Sequence, residues 1–113
     1  MNVPSDGYLL RIFIGESDRW EGLPLYEAIV RKAKQDGLAG ATVLRGIMGY
    51  GANSRIHTAG ILRLSEDLPI VIEIVDGREK IDRFVSEIDT MLGDGMVTLE
   101  KAQVLHYRHR KPA

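Results

Sequence analysis

The chain has 113 residues, of which 44% are hydrophobic and 27% are charged, and its formal net charge at pH 7 is −1. This composition is typical of a folded globular domain and excludes the global basic field of a dedicated nucleic-acid-binding protein. The absence of cysteine excludes disulfides and cysteine-metal sites and suits a reducing compartment. No secretory signal pattern opens the sequence, so we expect a single cytoplasmic domain over residues 1–113.

The first half of the chain predicts a strand, a helix and a second strand. Tyr8–Ile14 alternates between two faces and ends at Gly15, as a strand does. Pro24 suits the first turn of a helix, and Gly37 is a typical helix stop. The β-branched start of Ala41–Tyr50 predicts a second strand that runs into a glycine-rich stretch. The apolar stripe predicted for the helix consists of Leu25, Ile29 and Ala33.

The second half predicts a third strand and a second helix. Leu68–Val75 alternates as a strand, and Ile61–Leu64 is expected to extend the hairpin before it. Asp76 precedes Glu79 by three residues, the spacing of a capping box at a helix start. We expect this helix to end at Gly93. Its apolar stripe comprises Ile81, Phe84, Val85, Ile88 and Met91 or Leu92.

The last predicted element, Met96–Tyr107, completes a recognisable order. It is a strand whose alternation slips near Glu100 and Lys101, which predicts a bulge. The order βαββαβ with right-handed crossovers predicts an α+β, ferredoxin-like sandwich. In that fold two helices cover one face of a four-stranded antiparallel sheet and leave the other face open.

Apolar residues are expected on the open face as well. Leu9 and Phe13 lie opposite the core residues of the first strand, and Val71 and Val75 lie opposite the isoleucines of the third. Because the chain has no spare predicted element, the cover for this face is expected to be another copy of the chain.

Three segments carry a family resemblance: LRIFIGESDRW, GLAGATVLRGIMGYGANSRIHTA and LSEDLPIVIEIVD. Over nearly the whole chain they resemble the family catalogued as domain of unknown function 190, which is similar to the PII nitrogen-signalling proteins. The resemblance implies a homotrimer that binds ATP, ADP or AMP in clefts between subunits, with no required cofactor. It also implies a non-enzymatic regulator whose loop over residues 46–58 acts on a partner protein such as a membrane transporter, and no nucleic-acid ligand.

The stretch RGIMGYGANSRIHT, residues 45–58, has three glycines in its first seven positions, followed by polar side chains. Such a backbone lets amides converge on an anion, and the polar side chains add donors. The alternative is a flexible hairpin connection in which glycine permits positive φ. The residues predicted here for ligand binding are Arg45, Gly46, Gly49, Tyr50, Gly51, Asn53, Ser54, Arg55 and His57.

A second glycine motif follows the second predicted helix. Gly93, Asp94 and Gly95 resemble the phosphate-contacting turn of PII proteins. Met96 stands where those proteins have a phosphate-holding lysine. The alternative for the motif is a helix stop followed by a tight turn.

The tail YRHRKPA concentrates positive charge at the end of the last predicted strand. Arg108 and Arg110 resemble the PII arginines that reach across a subunit boundary to a bound phosphate. The alternative is a solvated terminus.

Two other functions compete with nucleotide binding. One is a metal-binding trimer resembling the copper-tolerance relatives of this fold, with His57, His106 and His109 as candidate ligands. The other is a small hydrolase or transferase that uses His57. Ser54 lies nearby, but no carboxylate has the spacing to orient the histidine. We therefore expect no enzyme and no resident metal.

Overall fold

A computed structural model describes residues 5–51 and 67–108 of the chain. The strands in these ranges are β1 (Asp6–Gly15), β2 (Arg19–Trp20), β3 (Leu23–Pro24), β4 (Thr42–Arg45), β5 (Pro69–Asp76) and β6 (Met96–Gln103). The helices are α1 (Leu25–Gln35) and α2 (Arg78–Ile88). The hairpin extension predicted over Ile61–Leu64 lies outside the described residues.

Four of the strands form one sheet in the order β4-β5-β1-β6, and all three neighbouring pairs are antiparallel. Together with α1 and α2 this order is the predicted ferredoxin-like α+β sandwich. The two central strands, β1 and β5, are adjacent although the chain visits α1 and β4 between them. The edges of the sheet are therefore β4 and β6.

The core lies between the sheet and the two helices, as the periodicity predicted. Alternate residues of the central strands enter it, and each is at most 5% exposed. Burying one such side chain contributes roughly 1.5–3 kcal/mol. The core residues are Leu10, Ile12 and Ile14 of β1, Ile70, Ile72 and Ile74 of β5, Leu25, Ile29 and Ala33 of α1, and Ile81, Phe84 and Ile88 of α2.

The capping box predicted at the start of α2 is wrong. Gly77 occupies the N-cap position and no side chain caps the helix. Asp76 continues the inward alternation of β5 and is 1% exposed. Its two carboxylate oxygens accept hydrogen bonds from the N–H groups of Gly77 (2.7 Å) and Ala39 (2.9 Å). A buried carboxylate needs such donors, so Asp76 joins the loop before β4 to the end of β5.

Several predicted boundaries were also too long. The second helix ends at Ile88 rather than at Gly93, and the last strand ends at Gln103. β4 ends at Arg45, although the N–H of the next residue, Gly46, still donates to the carbonyl of Pro69 (2.8 Å).

The predicted bulge in β6 is also wrong. The pairing with β1 runs without an offset from Asp6↔Gln103 to Phe13↔Met96. β6 is an edge strand with nearly every residue exposed, so its sequence is not held to strict alternation.

A small hairpin between β1 and α1 was not predicted. β2 and β3 pair across Glu21 and Gly22, which both have positive φ, at 46° and 82°. Such a two-residue turn matches the twist of a short hairpin. It packs Trp20 against the core. In the part of the chain that the structure covers, no helix is long and apolar enough to cross a membrane.

Candidate functional site

The open face of the sheet carries apolar residues, as predicted, but its centre is charged. Arg11 of β1 donates from Nε to Glu73 of β5 (2.9 Å) and from Nη1 to Glu100 of β6. The hydrogen bond to Glu73 raises the pKa of Arg11 above its ordinary value. We name these three residues the ion triad. The half-buried apolar residues on the same face are Leu9, Phe13, Val71 and Val75.

A first cleft, which we name the turn cleft, lies where β1 ends and β5 and β6 begin. It has a volume of about 420 Å³. It brings together four predicted site residues that are distant in sequence, Tyr50 and Gly51 from the glycine loop and Asp94 and Gly95 from the second motif. Gly93 is not among the lining residues.

The turn cleft is acidic. Asp18, Asp67 and Asp94 line it, whereas no described Lys or Arg does. Asp67 accepts hydrogen bonds from the N–H (3.0 Å) and hydroxyl (2.7 Å) of Ser17, and Asp18 accepts one from the N–H of Gly15 (3.0 Å). Like charges repel, so a phosphate here needs cations from outside the cleft. Asp18 and Asp67 were not predicted as site residues, because no sequence motif marks them.

Packing explains why two positions of the loop are glycine. A Cβ on Gly46 would lie 2.7 Å from the ring of Pro69, and one on Gly49 would lie 3.0 Å from it. The N–H of Gly46 donates to the carbonyl of Pro69 (2.8 Å). Because the Gly46 N–H makes this backbone hydrogen bond, Gly46 has no other N–H to donate to a ligand.

Arg45, at the end of β4, is held beside the turn cleft. Its Nη1 is 2.9 Å from Glu16 Oε2, and Glu16 directly follows Gly15, which lines the cleft. The Arg45 side chain is 62% exposed. It is accessible to a ligand, but an anion must compete with Glu16 for it.

Gly95 also has a structural reason to be glycine. Its φ is +156°, and a Cβ there would lie 2.6 Å from the carbonyl oxygen of Phe13. A Cβ on Gly93 would meet nothing within 4 Å. Of the two glycines in this turn, only Gly95 packs closely against β1.

A second cleft lies at the opposite end of the strands. After β6 the chain leaves the sheet edge, and residues 104–108, which we name the C-terminal strap, pass over the open face. Val104 packs against Gly7, whose Cβ would lie 2.9 Å from Val104 Cγ2. A pocket of about 660 Å³ lies between the strap and the side chains of Leu9 and Val75. We name it the strap pocket. The open face therefore has a partial cover from its own chain, which was not predicted from the sequence.

The strap pocket places polar groups beside an apolar floor. Thr42, His106 and Tyr107 line it, together with Glu73, whose carboxylate pairs with Arg11. Arg108 Nη2 lies 2.8 Å from His106 Nδ1, so the predicted residue Arg108 stands next to this pocket. Of the lining groups, Thr42 and Tyr107 were not singled out from sequence, because only the strap's return across the sheet brings them together.

The remaining predicted site residues lie outside the described ranges. These are Asn53, Ser54, Arg55, His57 and Arg110. His109, a candidate metal ligand, is outside them as well. Within residues 5–51 and 67–108, no group of three or more His, Asp or Glu side chains is placed to hold a metal ion. The metal-binding and hydrolase alternatives, which depend on His57, stay predictions.

Comparison with known sequences identifies relatives over most of the chain. The profile of the DUF190 family, described as uncharacterized ACR, matches residues 7–104. A UPF0166 protein of Aquifex aeolicus is 44% identical over 98 residues, which cover 87% of this chain and 92% of that protein. A UPF0166 protein of Methanocaldococcus jannaschii is 35% identical over 97 residues, 85% and 89% of the two chains.

Comparison with solved structures identifies the fold as PII-like. CPII of Thiomonas intermedia K12, bound to ADP, AMP and acetate, aligns with a TM-score of 0.65 at 15% identity over 94% of each chain. GlnK of B. subtilis aligns with a TM-score of 0.51 at 16% identity, covering 87% of this chain and 86% of that one. CPII is a nitrogen regulatory PII-like protein.

Proposed function

The chain belongs to the DUF190 family, and on that basis we propose that it is a homotrimeric regulator that binds an adenine nucleotide between subunits. In this proposal residues 1–113 form one PII-like domain, and the loop over residues 46–58 is presented to a partner protein. The observation that carries the proposal is the pair of clefts at opposite ends of the sheet. The turn cleft offers a glycine turn without a cation, and the strap pocket lies beside Arg108.

The ligand class comes from the structural neighbours. CPII, which has the same fold, binds ADP together with AMP. A strap pocket of about 660 Å³ is within the usual size for a small-molecule site. An adenine nucleotide is therefore the ligand proposed for this chain.

Charge decides how the nucleotide is shared between subunits. The three aspartates of the turn cleft repel a phosphate, and Met96 adds no charge where PII proteins carry lysine. The cations are Arg45 at the margin of the turn cleft and Arg108 on the strap. In the proposed trimer the strap of one subunit, with Arg108 and Arg110, reaches the turn cleft of the next. Arg55 adds a further charge from the loop.

The open face supplies the driving force for assembly. Its half-buried apolar side chains, together with Leu44 (48% exposed) and Met96 (55% exposed), form a surface that a second copy covers. Burial of apolar area favours association by about 25 cal/mol per Å². The loss of translational and rotational entropy opposes it. The ion triad within that surface keeps its own hydrogen bonds when water leaves.

The regulatory output is proposed to be an order-disorder switch in the glycine loop. The side chains at its base, Ile47 and Tyr50, are 86% and 75% exposed. Exposed apolar groups of this kind are suited to a partner protein. A nucleotide beside Arg45 would change the order of this loop, and the partner, in the wider family a membrane transporter, would respond.

Isothermal titration calorimetry and light scattering test the proposal together. We expect a trimer at micromolar concentration and heat of binding with at least one of ATP, ADP and AMP. Arg108→Ala is expected to weaken binding, since a charge-assisted hydrogen bond contributes about 1.5–3 kcal/mol. Arg31→Ala is the matched control, because Arg31 lies on α1 and pairs with Glu27. A folded wild-type monomer, or no heat with any nucleotide at millimolar concentration, would contradict the proposal.

A further inference from the structure

We infer that Tyr107 is a positioning residue, whose hydroxyl fastens the C-terminal strap and so holds His106 and Arg108 where the nucleotide binds. This inference rests on the proposed function, because it assigns a role at the same site. Tyr107 lines the strap pocket, but its hydroxyl donates to Ala39, so the role inferred for that hydroxyl is to act through its two neighbours.

The hydrogen bond of Tyr107 joins the strap to a loop fixed from the core. The Tyr107 hydroxyl donates to the carbonyl of Ala39 (2.7 Å). The N–H of Ala39 in turn donates to Asp76 (2.9 Å), which is 1% exposed and also accepts the N–H of Gly77. A buried carboxylate with both oxygens engaged is a rigid acceptor. The carbonyl that receives Tyr107 therefore has a fixed position.

The near end of the strap is held separately. The N–H of Val104 donates to the carbonyl of Ser5 (2.8 Å), and Val104 packs on Gly7. Leu105 is 79% exposed and adds little packing. Tyr107 is thus the far attachment, and His106 lies in the span between the two.

The His106–Arg108 contact depends on this attachment. The two side chains flank Tyr107 in sequence, and Arg108 Nη2 is 2.8 Å from His106 Nδ1. With the strap released at Tyr107, both groups sample more conformations in the ligand-free protein. Binding must then order them, and that cost of conformational entropy lowers affinity.

The test compares Tyr107→Phe with Tyr26→Phe in the full chain. Tyr107→Phe removes only the hydroxyl. Tyr26 lies on α1, and its hydroxyl makes no hydrogen bond among the described residues. We expect Tyr107→Phe to weaken ADP and AMP binding in calorimetry by roughly two- to fivefold, the range of one solvent-accessible hydrogen bond. Tyr26→Phe should leave it unchanged.

A second measurement detects the strap directly. Hydrogen exchange of the ligand-free proteins should be faster for residues 104–108 in Tyr107→Phe, with exchange in β1, β5 and α2 unaltered. A residue that only stabilised the whole fold would instead raise exchange throughout and lower the unfolding midpoint. Either that pattern or unchanged affinity overturns the inference. If wild-type protein binds neither nucleotide, the proposed function fails, and exchange in the strap still decides whether Tyr107 fastens it.

Discussion

The two faces of the sheet use the same strands for different purposes. On the covered face, the core residues of β1 (Leu10, Ile12 and Ile14) and of β5 (Ile70, Ile72 and Ile74) are aliphatic and at most 5% exposed. On the open face, the residues between them are half-buried, and Arg11 and Glu73 occupy the central positions. A folding core rarely keeps an ion pair, because desolvation offsets the attraction. The contrast indicates that the covered face maintains the fold, and it supports the proposal that the open face serves assembly and ligand binding.

The largest expected effect comes from the covered face. Phe84→Ala removes a fully buried ring of α2 and should lower the free energy of unfolding by about 3–5 kcal/mol. Phe13→Ala, on the open face, is the matched control and should cost clearly less. Urea denaturation at one fixed protein concentration measures both, since assembly makes stability depend on concentration. Equal losses would mean that the two faces do not differ in this way.

A charge on the open face should separate assembly from folding. Val71→Asp places a carboxylate in the proposed interface, where an unpaired charge costs several kcal/mol, so association should weaken roughly 100-fold or more. Ser86→Asp adds the same charge on an exposed position of α2 and should leave the oligomer intact. Light scattering reports the mass of each variant. A Val71→Asp protein that stays trimeric would remove the open face from the interface.

The glycine turn against β1 offers a paired test of intermediate size. Gly95→Ala should destabilise the protein by about 1–3 kcal/mol. At the Gly95 φ of +156° an added Cβ would lie 2.6 Å from the carbonyl oxygen of Phe13, which is too close. Gly93→Ala meets open space and should change stability by about 0.5 kcal/mol or less. Thermal unfolding of the two variants makes the comparison. Similar losses of stability in the two variants would show that close packing of Gly95 against β1 is not what requires glycine there.

The smallest expected effect belongs to charges outside the core layer. Lys32 of α1 lies 3.0 Å from Glu87 of α2 and 3.2 Å from Asp36. The hydrogen bond to Glu87 raises the pKa of Lys32 above its ordinary value of 10.5. A raised pKa means that this contribution is complete below pH 10.5 and is lost as the pH rises through the folded-state value.

Lys32→Met removes this dependence on pH. Below pH 10.5 the variant should be less stable than wild type by under about 1 kcal/mol, as for other surface ion pairs. The difference should shrink at higher pH. Urea unfolding at pH 8 and pH 11 measures it. A wild-type advantage that persists undiminished at pH 11 would assign the effect to packing of the Lys32 stem instead.

Much of the fold followed from local patterns. The alternation of Leu10, Ile12 and Ile14 and the four-residue spacing of Leu25 and Ile29 predicted their burial correctly. Gly37 ends α1 with φ of +76°, as a helix-stop glycine does. These patterns depend only on the period of a strand or helix, so one sequence is enough to read them.

The errors arose where a distant segment decided the role of a residue. Asp76 has the spacing of a helix cap, yet it binds the N–H of Ala39, which is 37 residues away. In that case the local signal was correct about the residue type and wrong about its partner. Gly46 and Gly49 also pack against a distant residue, Pro69, while their predicted role in binding an anion stays a prediction.

The amino-acid sequence by itself determined the order of elements, the covered core and the presence of apolar residues on both faces of the sheet. These properties are set by hydrophobic periodicity, which is local. Only the tertiary structure decided that the open face carries an ion triad, that the strap returns to Ala39, and that the turn cleft gathers three aspartates. Such groupings join residues tens of positions apart, and the pairing of strands in space, which no local period encodes, brings them together.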